Sequence, residues 1–160
     1  MQGNFRQIFA VILFSFMLAG CKVSQECTRQ THEYLGEYLG AAQSGEWDKA
    51  RASVNKLLAM KEIDSEAVQS FIKANGSDEA ACCIFIEIVG DSGSKKTVKP
   101  LIAMLEQEKN VNIKTSIIYA LGKLKDKRAS GSLEKILNDE SWSIRMMARE
   151  ALKEIENGAK

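Results

Sequence analysis

The chain has 160 residues, 45% of them hydrophobic and 7% aromatic, with a single proline. Its 22 Lys and Arg stand against 21 Asp and Glu, and this mixed, near-zero balance excludes the basic footprint that nucleic-acid binding usually needs. The length suits one ordinary domain with a real core, and the scarcity of proline suits a helical chain.

Met1–Gln7 is a short polar start with one cation, Arg6. Ile8–Leu18 is apolar except for Ser15. At about 1.5 Å per residue this stretch makes roughly 16 Å of helix, too short for a bilayer core of about 30 Å. Charge, short apolar core and small residues follow the three regions of a secretory signal. The closing Leu18-Ala19-Gly20-Cys21 resembles the lipobox of bacterial lipoproteins. The resemblance implies a signal peptide over residues 1–20, cleavage before Cys21, and acyl chains on that cysteine. Two or more chains would anchor the protein stably without a spanning helix. Lys22 follows, where Asp often retains such proteins at the inner membrane, so in a Gram-negative cell the outer membrane is expected.

Residues 21–24 would then be anchor and tether, and 25–160 a helical repeat domain. Within it, 25–60 reads as a hairpin of two helices. Tyr34, Leu35, Tyr38 and Leu39 form one apolar stripe; Trp47, Ala50, Val54, Leu57 and Leu58 form the second. Cys27 and His32 share this region, but two ligands are too few for a metal site. Cys27, Cys82 and Cys83 are odd in number. A pairing of Cys27 with either of the others stays open, and at least one is expected to be a small buried hydrophobe.

Asp64-Ser65 and Ser77-Asp78-Glu79 read as helix starts, and Asn75-Gly76 as a helix end. A degenerate repeat is expected over 64–91, a clear one over 94–126, and a C-terminal one over 127–156. Leu101 matches Leu133 and Leu105 matches Leu137. Ile113-Lys114 matches Ile144-Arg145, and Ala120-Leu121 matches Ala151-Leu152. The period is 31–32 residues, a spacing of stacked helix pairs. Ile113, Ile117, Ala120, Leu121 and Leu124 lie on one helix face, and Ile84, Phe85, Ile88 and Val89 are expected to repeat it.

Val98-Lys99-Pro100-Leu101-Ile102, and the Ala-Leu pairs seven and eight residues after Ile113 and Ile144, resemble HEAT-like repeats of the type also found in phycobilin lyase subunits. The chain departs from that pattern at Ser130 and Ser132, and at Cys82 in place of a cation. The resemblance implies an all-α, short right-handed α-solenoid capped by the N-terminal hairpin. It also implies that Lys114 and Arg145 pair with a loop acid, Asp139 or Glu140, as a structural ladder, with a binding site as the alternative.

Repeat alignment puts Ile86, Ile118 and Arg149 in one row. Cys83, Thr115 and Met146 form a second, and Glu87, Tyr119 and Glu150 a third. Second helices line the concave face in HEAT-like arrays. Ile86, Ile118, Tyr119 and Met146 would then form an apolar strip beside charged Glu87, Arg149 and Glu150, a pattern that marks partner sites. The alternative is that these side chains complete packing between repeats.

The function expected is a lipid-anchored, non-catalytic scaffold in a bacterial envelope that binds another protein. It needs no nucleic acid, metal or cofactor beyond the covalent lipid on Cys21. The alternative is an accessory or chaperone-like subunit of an envelope secretion or pilus assembly. A lyase-like activity ranks behind both, resting on fold analogy alone.

Overall fold

A computed structural model of the chain describes residues 25–60, 62–63, 65–75 and 78–158. Cys21 and the leader lie outside these residues. All regular structure among the described residues is helical.

Helix α1 (25–43) and α2 (Trp47–Ala59) form the N-terminal hairpin. Three helix pairs follow: α3 (Ser65–Asn75) with α4 (Glu79–Asp91), α5 (Val98–Gln107) with α6 (Val111–Leu124), and α7 (Ser130–Ile136) with α8 (Trp142–Asn157). The pairs stack through their second helices, α4 on α6 and α6 on α8, which form one layer. Such pairs bury their apolar faces only against neighbours, which gives an α-solenoid.

Local chemistry sets the boundaries. The carboxylate of Asp78 accepts from the Ala81 amide at 3.0 Å and starts α4. The Asn110 side chain accepts from the amides of Asn112 and Ile113 and starts α6. These bonds satisfy amide donors that a helix start leaves unpaired. Pro100 sits in the first turn of α5, where its missing N–H costs no helical bond. Single 3₁₀ turns, Lys95–Thr97 and Lys127–Ala129, lead into α5 and α7.

The core runs through the stack without a break. Ile113, Ile117, Ala120, Leu121 and Leu124 are all buried, as the periodicity requires. Phe85 packs on Phe71 with ring centroids 4.5 Å apart. Each fully buried Leu, Ile or Phe contributes roughly 1.5–3 kcal/mol of transfer free energy.

Three expected core residues are not core. Trp47, Leu58 and Ile84 are exposed. Helix α2 buries Ala50, Ser53 and Leu57 instead, so Trp47, its first residue, precedes the buried face. In α4 it is Phe85, 32 positions before Ile117, that fills the equivalent core site.

Two glycines allow the second helices to approach closely. A Cβ on Gly90 would lie 2.6 Å from the Ala120 Cα, and one on Gly122 would lie 2.9 Å from the Ala151 Cα. The two sites are one repeat apart, so the same small-on-small contact recurs at successive interfaces.

Candidate docking face

The rows expected on the second helices separate by their position relative to those glycine contacts. Ile86 is one turn before Gly90 and Ile118 one turn before Gly122, so each faces the next second helix. Both are fully buried. Neither contributes to an open strip, which corrects that part of the expected site. The third member of the row, Arg149, is exposed because no described helix packs on that side of α8. Lys153, in the register of Gly90 and Gly122, is exposed for the same reason and pairs with Glu150 at 2.7 Å.

The other two rows do reach the surface. Glu87 and Glu150 are exposed, and Tyr119, Cys83, Thr115 and Met146 are half-buried. The Ser116 hydroxyl donates to Glu87 at 3.2 Å, and the Tyr119 hydroxyl lies 3.5 Å from Asp91. Lys123 stands 5.4 Å from the Tyr119 ring centroid. A shallow groove of about 200 Å³ runs between α6 and α8, lined in part by Tyr119, Met147 and Glu150.

One turn earlier in the same register lie Val111 and Trp142, the first residues of α6 and α8. Trp142 is 68% exposed and Val111 48%. Sequence reasoning passed over both. The signal was present, because they align at the same 31-residue offset as Thr115 and Met146. The face therefore has an apolar end, Val111, Trp142 and Met146, and a charged end that includes Glu87, Asp91 and Glu150.

The ladder residues meet as the resemblance implied, with one difference. The Lys114 ammonium donates to Asp139 Oδ2 at 2.6 Å, tying α6 to the α7–α8 loop. Both side chains are less than a fifth exposed. This bond and the Ser141 amide hold the Asp139 carboxyl below the ordinary carboxylate range. Arg145 instead donates to the backbone carbonyls of Asp139 and Glu140, at 2.7 and 2.9 Å. The upstream rung lacks its cation. Cys82 occupies that place, and Glu79 bonds the Asn110 and Asn112 side chains instead.

Cys27, Cys82 and Cys83 are not joined by disulfides. The Cys27 thiol donates to the Glu62 carbonyl. Burial pushes the Cys82 thiol up, away from the thiolate form. His32 is exposed on α1. Among the described residues no three His, Cys, Asp or Glu side chains gather as a metal site, and no helix is long and apolar enough to cross a membrane.

A family model of HEAT repeats matches residues 68–153, more than half of the chain. The chain belongs to the HEAT-repeat family. The matched span begins inside α3 and ends inside α8, covering the three stacked pairs. No curated protein matches the chain. As a HEAT-repeat protein, the chain is a helical scaffold of the kind suited to protein interaction.

Proposed function

We propose that this HEAT-repeat chain is a lipid-anchored, non-catalytic scaffold of the bacterial envelope that docks another protein on the outer face of α6 and α8. The observation that carries the docking reading is the pair of exposed apolar residues Val111 and Trp142, continued by half-buried Met146 and Tyr119 on the two-layer stack. Large exposed aromatics next to a charged rim are the residues that dominate interface energies. The lipobox-like Leu18-Ala19-Gly20-Cys21 supports the anchor. Chemistry at cysteine has little support: the Cys82 thiol is buried with its thiolate disfavoured, and the single imidazole, His32, is on α1.

The test is crosslinked capture from membranes with Trp142→Ala, Tyr119→Ala and the control Lys135→Ala. The first two should lose about thirtyfold in capture, corresponding to losses of about 2 kcal/mol for anchor residues. The control should keep capture, and all three should melt within about 1 kcal/mol of the parent. Full capture by both face variants sinks the docking face. Fatty-acid labelling of the parent and of Cys21→Ser tests the anchor separately, and an unlabelled parent sinks it.

A further inference from the structure

The near-zero net charge conceals a polarity between the two long edges of the solenoid. The turns that follow α4 and α6, residues 92–97 and 125–129, carry five cations, Lys95, Lys96, Lys125, Lys127 and Arg128, and one acid, Asp126. All five cations are exposed. At the opposite edge, residues 106–110 and 137–141 carry Glu106, Glu108, Asp139 and Glu140 against Lys109 alone. Helix dipoles account for part of this, since cations favour helix C-termini and anions N-termini. Lys95 serves that role, donating to the last carbonyls of α6. Arg128 in turn donates to the Lys95 carbonyl at 2.9 Å, locking the two turns side by side. Three of the five cations are ion-paired, Lys96 with Glu62, Lys125 with Glu154 and Arg128 with Asp126, which leaves these two turns a net excess of two cations, Lys95 and Lys127.

The chain enters the fold at this same edge. The Cys27 thiol lies 3.1 Å from the Glu62 carbonyl. Glu62 pairs with Lys96, and Ser94 Oγ bonds the Ile63 backbone at 3.3 Å. The start of α1, the 62–63 link, the 92–97 turn and the 125–129 turn therefore form one continuous row. Cys21 precedes the first described residue, Gln25, by four residues, a span of at most about 14 Å.

We infer that this basic edge is the membrane-facing side of the protein, lying against the headgroups of an anionic phospholipid bilayer. The inference rests on the lipid-anchor reading and gives it an orientation. A lipid on Cys21 holds the entry point at the bilayer, and the row of cations extends from that point along the surface. Anionic leaflets attract such cations within about a Debye length, near 8–10 Å. The acidic edge, and with it Trp142 and Val111 at the starts of α8 and α6, then points away from the membrane, where a soluble partner reaches it.

The experiment uses the processed protein isolated from cell membranes, with vesicles of phosphatidylcholine alone and of phosphatidylcholine mixed with phosphatidylglycerol. Flotation with the neutral vesicles reads the anchor. Amine labelling mapped by mass spectrometry reads the orientation. Lys95, Lys96, Lys125 and Lys127 should label normally on neutral vesicles and be protected on anionic ones, with protection lost in high salt. Lys109 and Lys135 should label equally on both. Equal labelling of the basic edge on the two vesicle types overturns the inference while leaving the anchor intact. If neutral vesicles do not carry the protein, the anchor reading fails, and partition onto the anionic vesicles decides the edge alone. Lys127→Gln and Lys96→Gln should then each weaken partition about fivefold and Lys135→Gln should not. Equal partition of all three overturns the inference.

Discussion

The interface between α6 and α8 and the open side of α8 occupy the same register and carry opposite chemistry. At the interface stand Ile118 and Gly122, buried, with a Cβ at Gly122 only 2.9 Å from the Ala151 backbone. At the open side the equivalent positions are Arg149 and Lys153, both exposed. The α4–α6 interface repeats the first pattern with Ile86 and Gly90. The lesson is that position in a repeat does not fix a residue's role. What fixes it is whether another repeat follows. A solenoid ends where its small-and-apolar row turns polar, and here that row ends in α8.

The sharpest way to break this comparison is at Gly90. Alanine favours a helix over glycine by about 1 kcal/mol, so a helix judged alone gains from Gly90→Ala. The added Cβ would meet the Ala120 Cα at 2.6 Å, a backbone atom that cannot swing aside. Gly90→Val should therefore cost about 3 kcal/mol and Gly90→Ala somewhat less, read as lowered thermal midpoints. Lys153→Ala, in the same register, should be neutral or slightly stabilising. A neutral Gly90→Val would mean that the helices are not in close contact.

The next effect separates the two members of the isoleucine row. Ile118→Ala should cost about 2–4 kcal/mol in denaturant unfolding, through lost transfer energy and a residual cavity. Arg149→Ala should stay within about 0.5 kcal/mol. Similar losses at both would remove the distinction between interior and end.

These two residues also show how far the sequence was legible. The face of α6 that packs on its own repeat was readable, because Ile113, Ile117, Leu121 and Leu124 follow one helical stripe. Ile86 and Ile118 lie off that stripe, so periodicity alone made them look like surface. A middle helix of a stack is covered on more than one side, by its own first helix and by both neighbouring second helices. The arginine in their row was the available clue to that geometry. Trp47 was misassigned for a different reason: it is the first residue of α2, where the face has not yet been set by later turns. Of the proposed docking face, alignment alone puts Tyr119, Met146, Glu87 and Glu150 in neighbouring rows. Val111 and Trp142 share the same 31-residue offset but stand one turn before the matched positions, at the helix starts.

A smaller effect belongs to the turn that precedes the last repeat. Asp126 accepts from the Arg128 guanidinium and from its backbone amide, which lowers its carboxyl to about 2. A carboxyl depressed in the folded state stabilises above its unfolded value, near 4, and that contribution fades as pH falls toward the folded value. Arg128 is half-exposed, so solvent screening limits the gain to about 1 kcal/mol. Asp126→Asn should lose that amount at pH 7 and show a flatter decline in stability between about pH 4 and pH 2. An acid limb of unchanged slope would show that this turn does not contribute to the pH dependence.

The last change should cost only about 1 kcal/mol of stability and still alter behaviour. Arg149→Ile with Lys153→Gly converts the open side of α8 into a copy of the Ile118 and Gly122 surface. The glycine costs about 1 kcal/mol within the helix, and the folded chain should tolerate it. The new surface matches the one α6 presents to α8, and the natural complement of that surface is a second helix with Ala148 and Ala151 on its near side. That complement is already covered inside each copy, so the new patch is left to pack on its own counterpart in a second copy, as a closed dimer, or on another open apolar surface. The second route uses apolar residues that another copy leaves exposed, such as Ile84 or Leu58. A patch meeting a different surface on the next copy gives open-ended, concentration-dependent assembly. Sedimentation velocity should show the double variant growing beyond the parent's size with concentration, while its melting point falls by only a few degrees. A variant that keeps the parent's size at every concentration would show that Arg149 and Lys153 do not guard the end of the stack.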